Sequence, residues 1–233
     1  MLTSQRALTN VQLEDGIVWI TLSNGPVNAL SSELLEELTA VLDDLAASNS
    51  VDVAVLSSAF EVFSAGVDLK AMKLLSNDDR MDYFRRVGGL LSRLQSVPFW
   101  TVALVEGKAI GAGADLSLAC DFVFAANDAT WRFPGYRKGL RLGVKRLVAR
   151  VGPSRAFRLM ALDKEMCRDE AVAWGAVFEY LNQEELAAAA KSLSDCHGSP
   201  ADSRLQMFGD DNIVGATEVL EKSLSERVVA RFN

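Results

Sequence analysis

The sequence predicts an α/β fold with a mostly parallel sheet. Three observations carry that prediction. Short β-type runs alternate with amphipathic helical stretches from Val11 to about residue 181, and strands separated by helices imply right-handed βαβ crossovers. Val51 to Leu56 is a short, continuous, β-branched apolar run, the pattern of a strand buried on both faces. Beyond about residue 183 the strand signals stop and the pattern stays helical. The expected organisation is therefore a core over 1–182 and a helical region over 183–233.

Taken in order, Val11–Leu13 and Ile17–Leu22 are β-type runs joined through Glu14-Asp15-Gly16, a hairpin signal. Asn24-Gly25-Pro26 is a turn. Ser31 or Ser32 can cap a helix whose Leu34, Leu35, Leu38, Val41, Leu42 and Leu45 repeat at helical spacing. Phe63 to Leu69 is a tight turn into a helix, and Asp78–Leu94 is a second amphipathic helix ended before Pro98. Trp100–Val105 and Asp121–Ala125 read as strands around a small-residue turn, Gly107–Gly113, and a helix, Ala114–Ala119. Trp131–Arg150 is basic and punctuated by glycine. Helices follow at Ser154–Leu162 and Arg168–Trp174, with a short strand at Val177–Leu181. His197 lies in a Cys-His-Gly-Ser-Pro loop and reads as an exposed loop residue.

The composition excludes several classes. With 24 basic against 31 acidic residues the net charge is −7, which argues against a general nucleic-acid binder. The 3 cysteines, Cys120, Cys167 and Cys196, form no spaced motif. They suit a reducing cytoplasm better than a disulfide framework. A single histidine leaves no His-rich metal site. No uninterrupted apolar segment is long enough to span a bilayer, and Met1–Arg6 lacks the apolar run of a signal peptide. The expected location is cytoplasmic.

Two turns sit between a strand and a helix: Ser64-Ala65-Gly66-Val67-Asp68, and Gly107 to Asp115. Each exposes backbone N–H groups at a helix start, where an anion can be held. Two such groups aimed at one point would make an oxyanion hole. The second turn has G-x-G spacing without a third glycine, so a dinucleotide fingerprint fails.

These segments resemble the crotonase superfamily, the enoyl-CoA hydratase/isomerase family. The resemblance rests on Pro26-Val27-Asn28-Ala29-Leu30, on Phe63-Ser64-Ala65-Gly66-Val67-Asp68-Leu69, on Gly107 to Asp121, and on Gly152–Leu162 with Glu170–Val177. It implies a spiral of ββα units and a C-terminal helical region, truncated relative to the family, that builds homotrimers or dimers of trimers. It implies an acyl thioester on coenzyme A or a carrier protein as substrate, and no permanently bound cofactor. By motif position the backbone N–H groups of Val67 and Ala112 form the oxyanion hole. Ala29, Ala65, Gly66, Asp68, Leu69 and Gly111 fall in the substrate-binding segments, as do Trp131, Phe133, Pro134 and Gly135.

Family hydratases place two glutamates around a water. Asp115 stands at the first position, shorter by one methylene, or about 1.5 Å of reach. Gly135 stands at the second, so one acid is missing. Tyr136 is the nearby candidate proton donor, with a packed pocket wall as its plainer reading. Arg132, Arg137, Lys138 and Arg141 form a basic cluster that suits either a solvated face or an anionic group. Asp68 is expected to cap the turn and helix after it. Asp121 is expected to be structural and Cys120 a small buried hydrophobe. Lys70 and Lys73 suit either plain exposure or phosphate contact. One base plus an oxyanion hole suffices for double-bond isomerisation. Hydration, decarboxylation and a non-catalytic binder on the same scaffold remain as alternatives.

Overall fold

The computed structural model describes residues 4–48, 50–138, 143–180, 182–195, 200 and 203–204. The chain opens with β1 (Ser4–Gln5), β2 (Thr9–Glu14) and β3 (Ile17–Leu22), which pair antiparallel in that order. The β2–β3 hairpin closes through Asp15 and Gly16, both at positive φ, 49° and 79°. A type I′ turn needs that pair of conformations, and Asp-Gly supplies it.

The three middle turns of the chain, over 53–94, 100–119 and 122–161, each give one strand to a large sheet, another to a smaller sheet, and then helix. β4 (Ala29–Leu30) leads to α1 (Ser32–Ser48), which buries the six apolar residues picked out by their spacing. β5 (Val53–Ser58), β6 (Val62–Ser64) and β7 (Gly66–Val67) lead to α2 (Leu69–Met72) and α3 (Asn77–Leu94). β8 (Trp100–Val105) and β9 (Lys108–Ile110) lead to α4 (Ala112–Ala119). β10 (Phe122–Ala125) and β11 (Thr130–Arg132) lead through a 3₁₀ turn, Tyr136–Lys138, to α5 (Val144–Val151) and α6 (Pro153–Ala161). β12 (Glu165–Cys167), α7 (Arg168–Ala173), β13 (Phe178–Glu179) and α8 (Gln183–Ser194) complete the described chain.

The large sheet runs β1-β2-β3-β5-β8-β10-β13, and every pair from β3 onward is parallel. The smaller sheet runs β12-β11-β9-β6, and β4 pairs with β7 alone. This is the spiral of ββα units that the resemblance implies. Three of its strands fall where the sequence reads only turn or irregular chain: β6, β9 and β11 have 3 residues each, too few for any periodicity to register.

The large sheet is covered on both faces. Val18, Ile20, Ala54, Leu56 and Ala103 face the main core, while Val53, Val55, Val102 and Leu104 face Leu186 and Ala190 of α8. α8 thus serves as a cover on the outer face of the sheet. Residues 205–233, which hold most of the anticipated trimerisation region, lie outside the described residues, as do Arg141 and His197.

All eight residues of α4 are buried. A helix apolar on every side belongs inside a protein, and α4 is enclosed by α3, α5, β8 and β9. Its far end is fixed at Asp121. Thr101 donates its backbone N–H and its hydroxyl to Asp121 Oδ2, 2.8 Å each, and Asp121 N–H donates to Thr101 Oγ1. Arg204 pairs with the same carboxylate and donates to the carbonyls of Val97 and Phe99. Asp121 is structural, as expected. Thr101→Val leaves a buried N–H and a carboxylate oxygen short of a partner. It should cost about 1–3 kcal/mol, read as a lower urea midpoint at unchanged slope.

Candidate active site

The two glycine-containing turns meet. A methyl group built on Gly66 would lie 2.4 Å from the Ile110 carbonyl and 2.9 Å from the Ala112 nitrogen. One built on Gly113 would lie 2.3 Å from the Ser64 carbonyl. Only glycine lets these backbones come so close, and Gly66, at φ 77°, also needs glycine's conformational freedom. The β4–β7 ladder sets Ala29 opposite Gly66 and Leu30 opposite Val67. Ala29, Ala65, Gly66 and Val67 are therefore gathered at the N-terminal end of α4, beside Gly111 and Ala112.

The left-handed conformation at the start of α4 falls on Gly111, at φ 54°, and Ala112 is not among the residues with positive φ. An alanine is thus unstrained where the family motif has its middle glycine. Ala112 is the first residue of α4, and the first N–H groups of a helix have no partner within it. Gly111 N–H donates to the Arg132 carbonyl at 2.8 Å. That bond ties the Trp131–Gly135 segment to the same helix end.

Asp68 caps α2, its Oδ1 accepting from the N–H groups of Lys70 and Ala71 at 3.0 Å. Leu69, Lys70 and Lys73 are exposed. Trp131 is fully buried and donates its indole N–H to Ser117 Oγ at 3.1 Å. It stands in the core behind α4, and Phe133 is also buried. Pro134, Gly135 and Tyr136 are half-buried, with Tyr136 packed against the main core. Arg132 grips Asp163 with two bonds, 3.0 and 2.7 Å, so its charge is already matched. Cys120 is buried, and burial pushes its thiol up to about 12. It is the inert hydrophobe anticipated.

Asp115 lies in the first turn of α4 and is 2 % exposed. Among the described residues its Oδ1 has no hydrogen-bond partner, and no salt bridge reaches it. Burial raises its carboxyl from the usual 3.8 to about 7, with Arg146 pulling the other way. The Arg146 guanidinium instead donates to Gln95 Oε1, at 3.1 and 2.8 Å. Opposite the carboxylate stands Gly143, at φ 67° before α5, where a methyl group would lie 1.6 Å from Asp115 Oδ1. A carboxyl raised toward neutrality in the first turn of a helix can take up and return a proton.

Sequence reasoning gave no individual role to Gly143, Arg146 or Gln95. Gly143 and Arg146 lie in a glycine-punctuated basic stretch that has no periodicity to assign. Gln95 reads as the plain end of a helix.

The chain is similar to proteins of one known family. A family model described as "Enoyl-CoA hydratase/isomerase" matches residues 12–222. A Bacillus subtilis (strain 168) protein described as "Probable enoyl-CoA hydratase" is 31% identical over 79% of this chain and 74% of its own length. The ethylmalonyl-CoA decarboxylase of Danio rerio is 33% identical over 72% of this chain and 58% of its own length. The crystal structure of an enoyl-CoA hydratase from Bacillus anthracis superposes with a TM-score of 0.79 at 26% identity, covering 96% of this chain and 91% of that one. With a family model matched over most of the chain and a relative at 31% identity, the chain belongs to the crotonase superfamily, the enoyl-CoA hydratase/isomerase family.

Proposed function

We propose that the chain acts on an acyl thioester, on coenzyme A or a carrier protein, and moves a double bond by way of an enolate. The backbone N–H groups of Val67 and Ala112 receive the thioester oxygen. Asp115 takes a proton from the carbon next to the carbonyl of a 3-enoyl thioester, and the electron pair spreads onto that oxygen. The same carboxyl returns the proton two carbons further on, leaving a 2-enoyl thioester. One observation carries the reading: a buried carboxyl, its Oδ1 without a hydrogen-bond partner among the described residues and its pKa raised to about 7, in the first turn of the helix whose start meets the Gly66 turn. Gly135 supplies no second acid, which disfavours hydration. The half-buried Tyr136, Pro134 and Gly135 belong to the substrate wall in this reading, with Phe133 and Trp131 backing it. No resident cofactor is invoked. A cytoplasmic homotrimer or dimer of trimers completes it.

Decarboxylation is the second reading, favoured by the identity to the ethylmalonyl-CoA decarboxylase. Loss of carbon dioxide generates the same enolate, and one proton donor finishes the reaction.

The test is NMR in heavy water with a 3-enoyl-CoA, a 2-enoyl-CoA and an alkylmalonyl-CoA. Migration of the double bond with deuterium incorporation is the expected result. A 3-hydroxyacyl product would replace isomerisation by hydration, and carbon dioxide release would install the second reading. No reaction with thioester binding retained would make the chain a binder.

A further inference from the structure

Three buried polar side chains outside the proton-transfer site converge on one backbone segment. Asn28 is fully buried at φ 46°, a left-handed conformation that asparagine tolerates better than most residues. Its side-chain amide donates to Ser58 Oγ at 2.7 Å and to the Phe63 carbonyl at 3.1 Å, while its Oδ1 accepts from Asn24 N–H at 2.9 Å. Ser64, also fully buried, donates its hydroxyl to the Asn28 carbonyl at 2.7 Å and accepts from Gly66 N–H at 3.1 Å. Tyr83 reaches across from α3, 4 % exposed, and donates its hydroxyl to the Leu30 carbonyl. Burial holds this phenol well above the usual tyrosine range.

The two hydroxyls thus act on the paired segments around Val67. Ser64 Oγ links Gly66 N–H to the Asn28 carbonyl, and Tyr83 Oη holds the carbonyl of Leu30, the residue opposite Val67 in the β4–β7 ladder. Each bond fixes a peptide group that flanks or faces the Val67 N–H. We infer that Tyr83 and Ser64, with Asn28 behind Ser64, are positioning residues that aim the Val67 N–H at the thioester oxygen. The inference rests on the enolate reading above and extends it to residues that never touch substrate. Oxyanion donors act through preorganisation, so a hydroxyl that only steadies the peptide still changes the rate.

Tyr83→Phe keeps the ring and removes the bond. Ser64→Ala does the same on the other side. Each should lower kcat for α-proton exchange about ten- to hundredfold with KM within about twofold, less than the roughly 10²–10³-fold of a lost donor. The carbonyl stretch of a bound ¹³C-labelled acyl-CoA should shift less far than in the wild type. Amide hydrogen exchange at residues 66–68 should quicken while α1 keeps its protection. A fall in melting temperature with kcat, carbonyl stretch and amide exchange all unchanged would make the hydroxyls merely structural and overturn the inference. If the wild type itself neither exchanges the α-proton nor shifts the carbonyl, the enolate reading fails. The amide-exchange arm needs no substrate. Unchanged exchange at 66–68 in both variants would then overturn the clamp too, and faster exchange would uphold it as a device that orders this turn.

Discussion

Asp115→Asn removes the carboxyl that the proposed enolate reading uses as its base, and α-proton exchange should fall about 10²–10⁴-fold while thioester binding stays within about twofold. The wild-type rate should rise with pH through about 7, where the carboxyl loses its proton. Stability should move the opposite way. The folded state holds this proton up to about 7, whereas the unfolded chain releases it near 3.8. The folded state therefore binds more protons between those values, and stability falls as pH rises across that window. Below it the raised carboxyl costs nothing, and above it the cost is complete. A shift of this size corresponds to of the order of 4 kcal/mol. Asp115→Asn should thus match the wild type near pH 4 and exceed it in melting temperature above pH 7. A variant that lost activity and stability together at every pH would mark Asp115 as a structural group.

Gly66→Ala should have the largest effect on the scaffold. The added methyl would meet the Ile110 carbonyl at 2.4 Å and the Ala112 nitrogen at 2.9 Å, both backbone atoms that cannot swing aside. The positive φ costs about 1–2 kcal/mol more. Either the Val67 turn or the start of α4 must move, and the two N–H groups proposed to hold the thioester oxygen lose their common aim. Exchange activity should drop more than about 10²-fold, with a clear loss of thermal stability. Gly89→Ala is the control. It sits on the exposed side of α3 with nothing within 4 Å of its added methyl, and should stabilise by about 0.5–1 kcal/mol. If Gly66→Ala behaved like Gly89→Ala, the close contact of the two turns would carry no function.

Long, strongly patterned elements were legible from sequence alone. α1 and α3 follow their leucine and valine spacing, and β5 and β8 their β-branched runs. The motif turns and Asp115 were legible because their residues sit close together in the chain. What stayed hidden is long-range. Gly143 opposite Asp115, and Tyr83 against Leu30, are contacts between segments that local pattern cannot join. Ala112 shows a subtler limit: its residue type suggested strain, but the left-handed conformation belongs to Gly111 one position earlier.

The spiral has a kinetic consequence. β4, β7, α4 and the start of α5 come from successive turns, so each contact at the site closes a loop through most of a ββα unit. Loop-closure entropy must be met before such non-local contacts return anything. Activity should therefore be among the last properties regained on refolding from urea, appearing after helical circular dichroism has recovered and together with burial of Trp131.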